Sequence, residues 1–213
     1  IYNGAKPAKD LSATVSQKIK ARQQLLSELN VPDNTKLLLT VGRLDFQKGY
    51  DDVIPAVPHI VREFPNVRFV WVGDGDLRAD LEARLRKYQV ADKVFLLGYR
   101  SDVPDLLQAA DLFVFPTLFE GGQSFAIAAG LPIVTSDASG IPEVIHHTRH
   151  GIVFLTGDSC DLLESVRWAL THPDEMTVMA EDARVHAQDF TEDDMIQNYV
   201  DVWQRLCETS VNS

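Results

Sequence analysis

The sequence predicts an α/β protein: a doubly wound parallel sheet of about six strands with helices on both faces. Three observations carry this expectation. Short apolar runs alternate with amphipathic segments through the middle of the chain. Several runs are apolar almost throughout, as strands covered on both faces are, and do not alternate as a half-exposed strand would. Three of the runs also end at a glycine that opens a polar loop, at Gly42, Gly73 and Gly98. Such alternation builds a parallel sheet wound in both directions from its centre.

The elements follow in order. The first 35 residues hold one helix, about Val15–Leu29, closed by the turn sequence Asn30 to Asn34. Strands are expected at Lys36–Val41, Val67–Gly73, Lys93–Gly98, Asp111–Pro116, Pro132–Asp137 and Gly151–Leu155. Helices are expected between them at Tyr50–Glu63, Leu77–Tyr88, Val103–Ala109 and Ile141–Ile145, with a short crossover helix at Gln123–Ala129. Beyond the sixth strand the chain is helical. Leu162, Leu163, Val166 and Leu170 recur at the spacing of one helix face. Pro173 suits a first helical turn, predicting a helix to about Ala187. Thr191 is a candidate N-cap for a last helix carrying Met195, Ile196, Tyr199, Val202, Trp203 and Leu206. The whole chain, 1–213, reads as one Rossmann-like domain, with ligand expected at the carboxyl ends of its strands.

Composition narrows the function. The 213 residues are 45% hydrophobic and 24% charged, as in an ordinary globular protein. No run of about 18 apolar residues indicates a membrane span, and no signal peptide is visible, so a cytoplasmic protein is expected. A net charge of −11 argues against nucleic acid or an anionic membrane as a partner, because phosphate backbones are bound by clustered Lys and Arg. Cys160 and Cys207 form no ligand pattern and are expected to be buried or free thiols. No metal site is implied, since no cluster of His and carboxylates has ligand spacing. His146, His147 and His150 are expected at the surface.

The strand ends hold groups suited to a phosphorylated ligand. After the first strand, Arg43 and Lys48 could project two cations over the sheet edge beside a helix N-terminus, which suits a diphosphate. A pair of solvated surface charges is the alternative, equally open. Gly42 permits a sharp exit from that strand. Gly73 and Gly75 permit tight turning or close approach of backbone to ligand, and a purely structural turn explains them as well. Leu77, Arg78 and Ala79 follow where the dinucleotide fingerprint requires its third glycine, so a nicotinamide or flavin cofactor is not supported. Gly98 opens a loop, with Tyr99 and Arg100, able to hold a base against backbone atoms. Glu120 precedes a helical first turn, Gly121, Gly122, Gln123 and Ser124, whose free amides could bind phosphate or sugar oxygens while Glu120 accepts from hydroxyls. Glu120 could equally be a structural partner of the two cations.

These motifs occur in series: IYNGAK, VGRLDFQKGYDDVI, FVWVGDGDLRADL, VFLLGYRSDVPDLLQAADLFVFPTLFEGG, GLPIVTSDASGIPEVI and HGIVFLTGD. In this order they resemble the C-terminal, donor-binding half of retaining GT-B glycosyltransferases of family 4, the glycosyl transferases group 1. The resemblance implies that Arg43 and Lys48 bind the donor diphosphate and stabilise the departing nucleotide, as their chemistry also suggests. It implies that Glu120 hydrogen-bonds the donor sugar, that Gly121 to Ser124 approach sugar and phosphate, and that Gly98, Tyr99 and Arg100 hold the base. Asn3 and Gly4 match the hinge entering the domain. The implied activity is transfer of a hexosyl unit from a nucleotide diphosphate sugar, a UDP-sugar by family frequency, without metal or other cofactor. The acceptor is unknown; it would bind a separate N-terminal domain that this chain lacks, leaving the chain alone able to bind donor but not to transfer efficiently. A noncatalytic nucleotide-sugar-binding module and a GT-B sugar-nucleotide epimerase are the alternatives.

The pattern breaks at one place. The family carries a second Glu on the crossover helix, and here no acidic residue follows Glu120 before Asp137. A helix over Gln123–Ala129 would rise only about 10 Å, short of a strand of about 17–20 Å. Two explanations are open: a true deletion, or residues missing from the sequence between Ser124 and Pro132. The second is favoured, because losing one turn from a buried crossover would misplace both flanking strands.

Overall fold

A computed structural model describes residues 14–119, 127, 129–187 and 192–211. Six parallel strands form one sheet: β1 (Lys36–Val41), β2 (Val67–Val72), β3 (Val94–Gly98), β4 (Leu112–Phe115), β5 (Ile133–Ser136) and β6 (Ile152–Phe154). Their spatial order is β3-β2-β1-β4-β5-β6. Winding therefore proceeds outward in one direction from β1 to β3 and in the other from β4 to β6, as expected. The helices are α1 (Val15–Glu28), α2 (Tyr50–Glu63), α3 (Arg78–Lys87), α4 (Val103–Ala109), α5 (Ile141–Val144), α6 (Ser159–Thr171), α7 (Pro173–His186) and α8 (Glu192–Val211). Most lie within a residue or two of their expected bounds.

The apolar character of the strands now has its cause. Leu38, Phe69, Trp71, Leu112 and Val114 enter one core with residues of α2, α3 and α6. Their neighbours Leu37, Leu39, Val70, Phe113 and Phe115 enter a second core, on the opposite face, with residues of α1 and α4. Successive side chains alternate between faces, and both faces are covered, so consecutive positions such as Leu37–Leu39 and Phe113–Phe115 are apolar. Local capping agrees with the packing. Thr14 and Gln17 form a reciprocal capping box at α1, and Asp158 accepts from the amides of Cys160 and Asp161 at α6.

Helix α2 runs against its own propensity, since Pro55 and Pro58 lie inside it. Each interior proline costs about 3 kcal/mol. Burying Val53, Ile54, Val57 and Ile60, all at most 1% exposed, returns roughly 1.5–3 kcal/mol per side chain. The larger sum favours the helix, and α2 is held by its contact with the sheet.

Three expectations concern particular residues. His150 is not at the surface: it is 1% exposed and its ring stacks on His146 at 4.8 Å and on His186 at 4.4 Å. The reason is tertiary, because α7 returns to lay His186 over the β5–β6 connection. His146 and His147 are exposed, as expected. Both cysteines are free thiols and exposed. The proposed crossover Gln123–Ala129, the N-cap Thr191 and the hinge pair Asn3 and Gly4 lie, wholly or in large part, outside the described residues. The expected last helix is present as α8, and its Ile196, Tyr199 and Trp203 are exposed.

Candidate functional site at the switch point

The sheet reverses its winding between β1 and β4. At such a point the two neighbouring connections leave toward opposite faces, and a crevice opens outside the carboxyl ends of the strands. Chain exits from β1, β2 and β3 form the near wall. Gly73 lies hard against Gly42: a Cβ added at Gly73 would stand 1.9 Å from the Gly42 carbonyl oxygen, and its φ is +132°. Its amide donates to the Gly98 carbonyl at 2.8 Å. Gly42, Gly73 and Gly98 are thus brought side by side, and the close approach at Gly73 is made by the chain's own backbone.

Lys48 crosses this wall. A short 3-10 turn at Phe46–Lys48 folds the loop back over β1, and the Lys48 stem lies against Gly42, whose added Cβ would meet Cδ and Cε at 3.1 Å. Lys48 is only 7% exposed. Its ammonium stands 5.8 Å from the centroid of Phe115, the last residue of β4, within cation–π range. The charge therefore sits across the two strands that define the switch point. Burying a lysine tip this deeply is unfavourable without an anionic or aromatic partner, and the ring supplies part of that.

The turn is pinned to β4 from the other side. The Gln47 carbonyl accepts from the Leu118 amide at 2.7 Å and the Thr117 hydroxyl at 3.0 Å. Gly49 adopts φ +65°, and a Cβ there would stand 1.8 Å from the Pro116 carbonyl oxygen. Only glycine fits between the turn and the loop leaving β4. Behind it, a row of buried hydroxyls closes the carboxyl ends of the central strands. Thr40 donates to the Val114 carbonyl at 2.8 Å, Thr135 to Phe115 at 3.1 Å, and Ser136 to Thr117 at 2.5 Å. These residues were not picked out from the sequence. Their signal was a hydroxyl residue near the end of the first and fifth apolar runs, where an aliphatic one would serve packing equally well.

Arg43 behaves differently. Its side chain is 73% exposed and meets the Asp45 carboxylate at 3.1 Å. Asp45 is itself 25% exposed at the side chain, and its Oδ1 is buried with no hydrogen-bond partner among the described residues. Tyr50, at the start of α2, packs against Trp71 at 4.8 Å and sends its hydroxyl toward the Gly42 carbonyl at 3.4 Å. Its phenol is held well above the ordinary tyrosine value, by burial first and then by the Asp45 charge.

Tyr99 is 85% exposed beyond Gly98. Arg100 turns away from the strand ends: its guanidinium binds Asp102 at 2.7 Å and Glu28 on α1. Glu120, Gly121, Gly122, Gln123 and Ser124 lie outside the described residues, so the structure does not place them. Among the described residues no group of three or more His, Cys, Asp or Glu could hold a metal ion, the stacked histidines included. No helix is long and apolar enough to cross a membrane among those residues.

The family described as "Glycosyl transferases group 1" matches residues 21–186. An uncharacterized glycosyltransferase of Methanocaldococcus jannaschii is 36% identical over 158 residues, covering 71% of this chain and 39% of that protein. A glycogen synthase of Mycobacterium tuberculosis is 32% identical over 141 residues, covering 64% and 34%. Among solved structures, HepE of Anabaena in complex with UDP-glucose is 25% identical with a TM-score of 0.78, covering all of this chain and 57% of that one. The chain therefore spans well under half the length of these curated relatives.

Proposed function

The chain belongs to the glycosyl transferases group 1 family, and from that premise we propose that it is the donor-binding domain of a retaining, family 4 glycosyltransferase. It takes a hexosyl unit from a nucleotide diphosphate sugar, a UDP-sugar by preference. The observation that carries this reading is the buried Lys48 ammonium across the β1–β4 switch point, with Arg43 leaving the same strand end. Two cations at that place suit a diphosphate, which leaves as negative charge develops on it. Fixed positive charge in a site shielded from water lowers that barrier more than solvated charge would. The UDP-glucose complex of the Anabaena protein supports the choice of donor.

In this reading Lys48 holds the diphosphate from the floor and Arg43 closes over it from solvent. Gly98 and Tyr99 line the base side, and Glu120 orients the sugar hydroxyls. No metal is called on, because the two side chains supply the countercharge. The acceptor is bound by a part of the protein outside these 213 residues.

The test has two parts. Calorimetry of the chain with UDP, GDP and ADP should give saturable binding, tightest with UDP. In the full-length enzyme Arg43→Ala should lower kcat/KM by on the order of a hundredfold, the usual effect of losing one fixed charge-stabilising donor. Arg43→Ala kinetics close to wild type would refute the assignment.

A further inference from the structure

Asp45 is a carboxylate at the mouth of a site proposed to bind a diphosphate, where a negative charge opposes the ligand. Its contact with Arg43 is a single one, Nη2 to Oδ2 at 3.1 Å, on an arginine that is 73% exposed. A carboxylate serving to position an arginine grips it through two parallel bonds, ideally out of solvent. Here neither condition holds. The second oxygen, Oδ1, is buried and has no hydrogen-bond partner among the described residues, so no donor among them offsets its share of the charge.

The fold holds that carboxylate in place. The Asp45 amide donates to the Arg43 carbonyl at 2.9 Å, and the Lys48 amide reaches the Asp45 carbonyl at 3.3 Å. Asp45 thus belongs to the same turn as both cations and cannot swing far from them. Its charge is felt nearby, since it adds to burial in keeping the Tyr50 phenol protonated.

We infer that Asp45 is a built-in competitor: its carboxylate and the ligand's diphosphate contend for the Arg43 guanidinium, which weakens nucleotide binding and hastens release of the nucleoside diphosphate product. This rests on the functional reading above. The cost in affinity is useful to an enzyme whose product keeps the very group that anchors the donor. A site built only of cations would hold the product as firmly as the substrate.

The experiment is calorimetry of the 213-residue chain with UDP, comparing wild type, Asp45→Asn, Arg43→Gln and the double variant at low and high salt. Asp45→Asn keeps the shape and removes the charge. It should tighten UDP binding by roughly twofold to fivefold at low salt, the scale of one partly exposed ion pair. The gain should shrink at high salt and fall below about twofold when Arg43 is already Gln, the non-additivity expected of groups acting on each other. Stopped-flow release of UDP should slow by a similar factor. Binding weakened or unchanged by Asp45→Asn overturns the inference and makes Asp45 a positioning residue or a bystander. An equal gain in the Arg43→Gln background also overturns it, leaving only long-range repulsion. Wild type that binds none of UDP, GDP or ADP overturns the functional reading and this inference together, and so the two failures are distinguishable.

Discussion

Gly49→Ala is the sharpest perturbation of the site. The position combines two demands: φ +65°, and a direction for Cβ that ends 1.8 Å from the Pro116 carbonyl oxygen. Left-handed backbone alone costs a non-glycine residue about 1–2 kcal/mol. The clash is the larger matter. Ordinary Cβ contacts begin near 3.0 Å, so turn and β4 exit must separate by about 1.2 Å, and the obstacle is backbone rather than a flexible side chain. That separation breaks or stretches the two bonds to the Gln47 carbonyl, from Leu118 at 2.7 Å and Thr117 at 3.0 Å. Each is worth roughly 0.5–1.5 kcal/mol. Together the loss is about 2–5 kcal/mol, which for a domain of this size lowers Tm by roughly 5–15 °C. Because Lys48 sits on the turn that moves, UDP affinity should fall as well. Gly140→Ala is the control: an added Cβ there meets nothing within 4 Å and φ is −83°, so its Tm should stay near wild type. Thermal unfolding and calorimetry on the same preparations check both. A Gly49→Ala variant that melts like Gly140→Ala would refute the claim that this glycine locks the turn to β4.

Two further outcomes follow from the structure. Lys48→Met keeps the stem that packs on Gly42 but removes the ammonium, so UDP binding should weaken by on the order of tenfold to a hundredfold, the worth of a charge-assisted contact; calorimetry checks it, with parallel melts to establish that the variant is folded. His150 is held below its ordinary value, by burial first and then by the charge of His186, so the native state prefers it neutral. Its contribution to stability is complete above the unfolded value of about 6.5 and is lost as pH falls through the folded value. Urea midpoints measured from neutral pH downward should therefore fall less steeply in His150→Gln than in wild type.

Much of the fold was legible because periodicity carries it. Apolar runs such as Leu37–Leu39 and Phe113–Phe115 face two cores at once, and only a sheet covered on both sides asks that of a sequence. The histidine stack was not legible. His150 and His186 meet through the return of α7, a contact between segments distant in sequence that leaves no mark in the local pattern of either. The hydroxyl row at Thr40, Thr135 and Ser136 was visible only as a composition at strand ends, since a threonine that caps a neighbour's carbonyl reads the same as one that faces water. Arg100 was legible as a neighbour of the third strand's carboxyl end, but Glu28 and Asp102 decide where its guanidinium goes.

The same limit explains the unequal cations. Five positions of spacing brought Arg43 and Lys48 to one strand end, and nothing in that spacing says which is buried. Depth is set by the 3-10 turn, which needs a left-handed residue at 49 to reverse, a side-chain-free position at 42 to lie on, and a carbonyl at 47 for the β4 exit to grip. Each is a backbone condition, and together they press Lys48 into the crevice while Arg43, on the near side of the turn, stays in solvent beside Asp45. A charge fixed deep in the crevice can stabilise a leaving group at the moment of bond breaking, whereas one held loosely by a carboxylate can let the product go. The two cations of this motif are therefore not duplicates, and exchanging them by Arg43→Lys with Lys48→Arg should weaken UDP binding in calorimetry, because position 48 is packed against Gly42 and position 43 is in solvent.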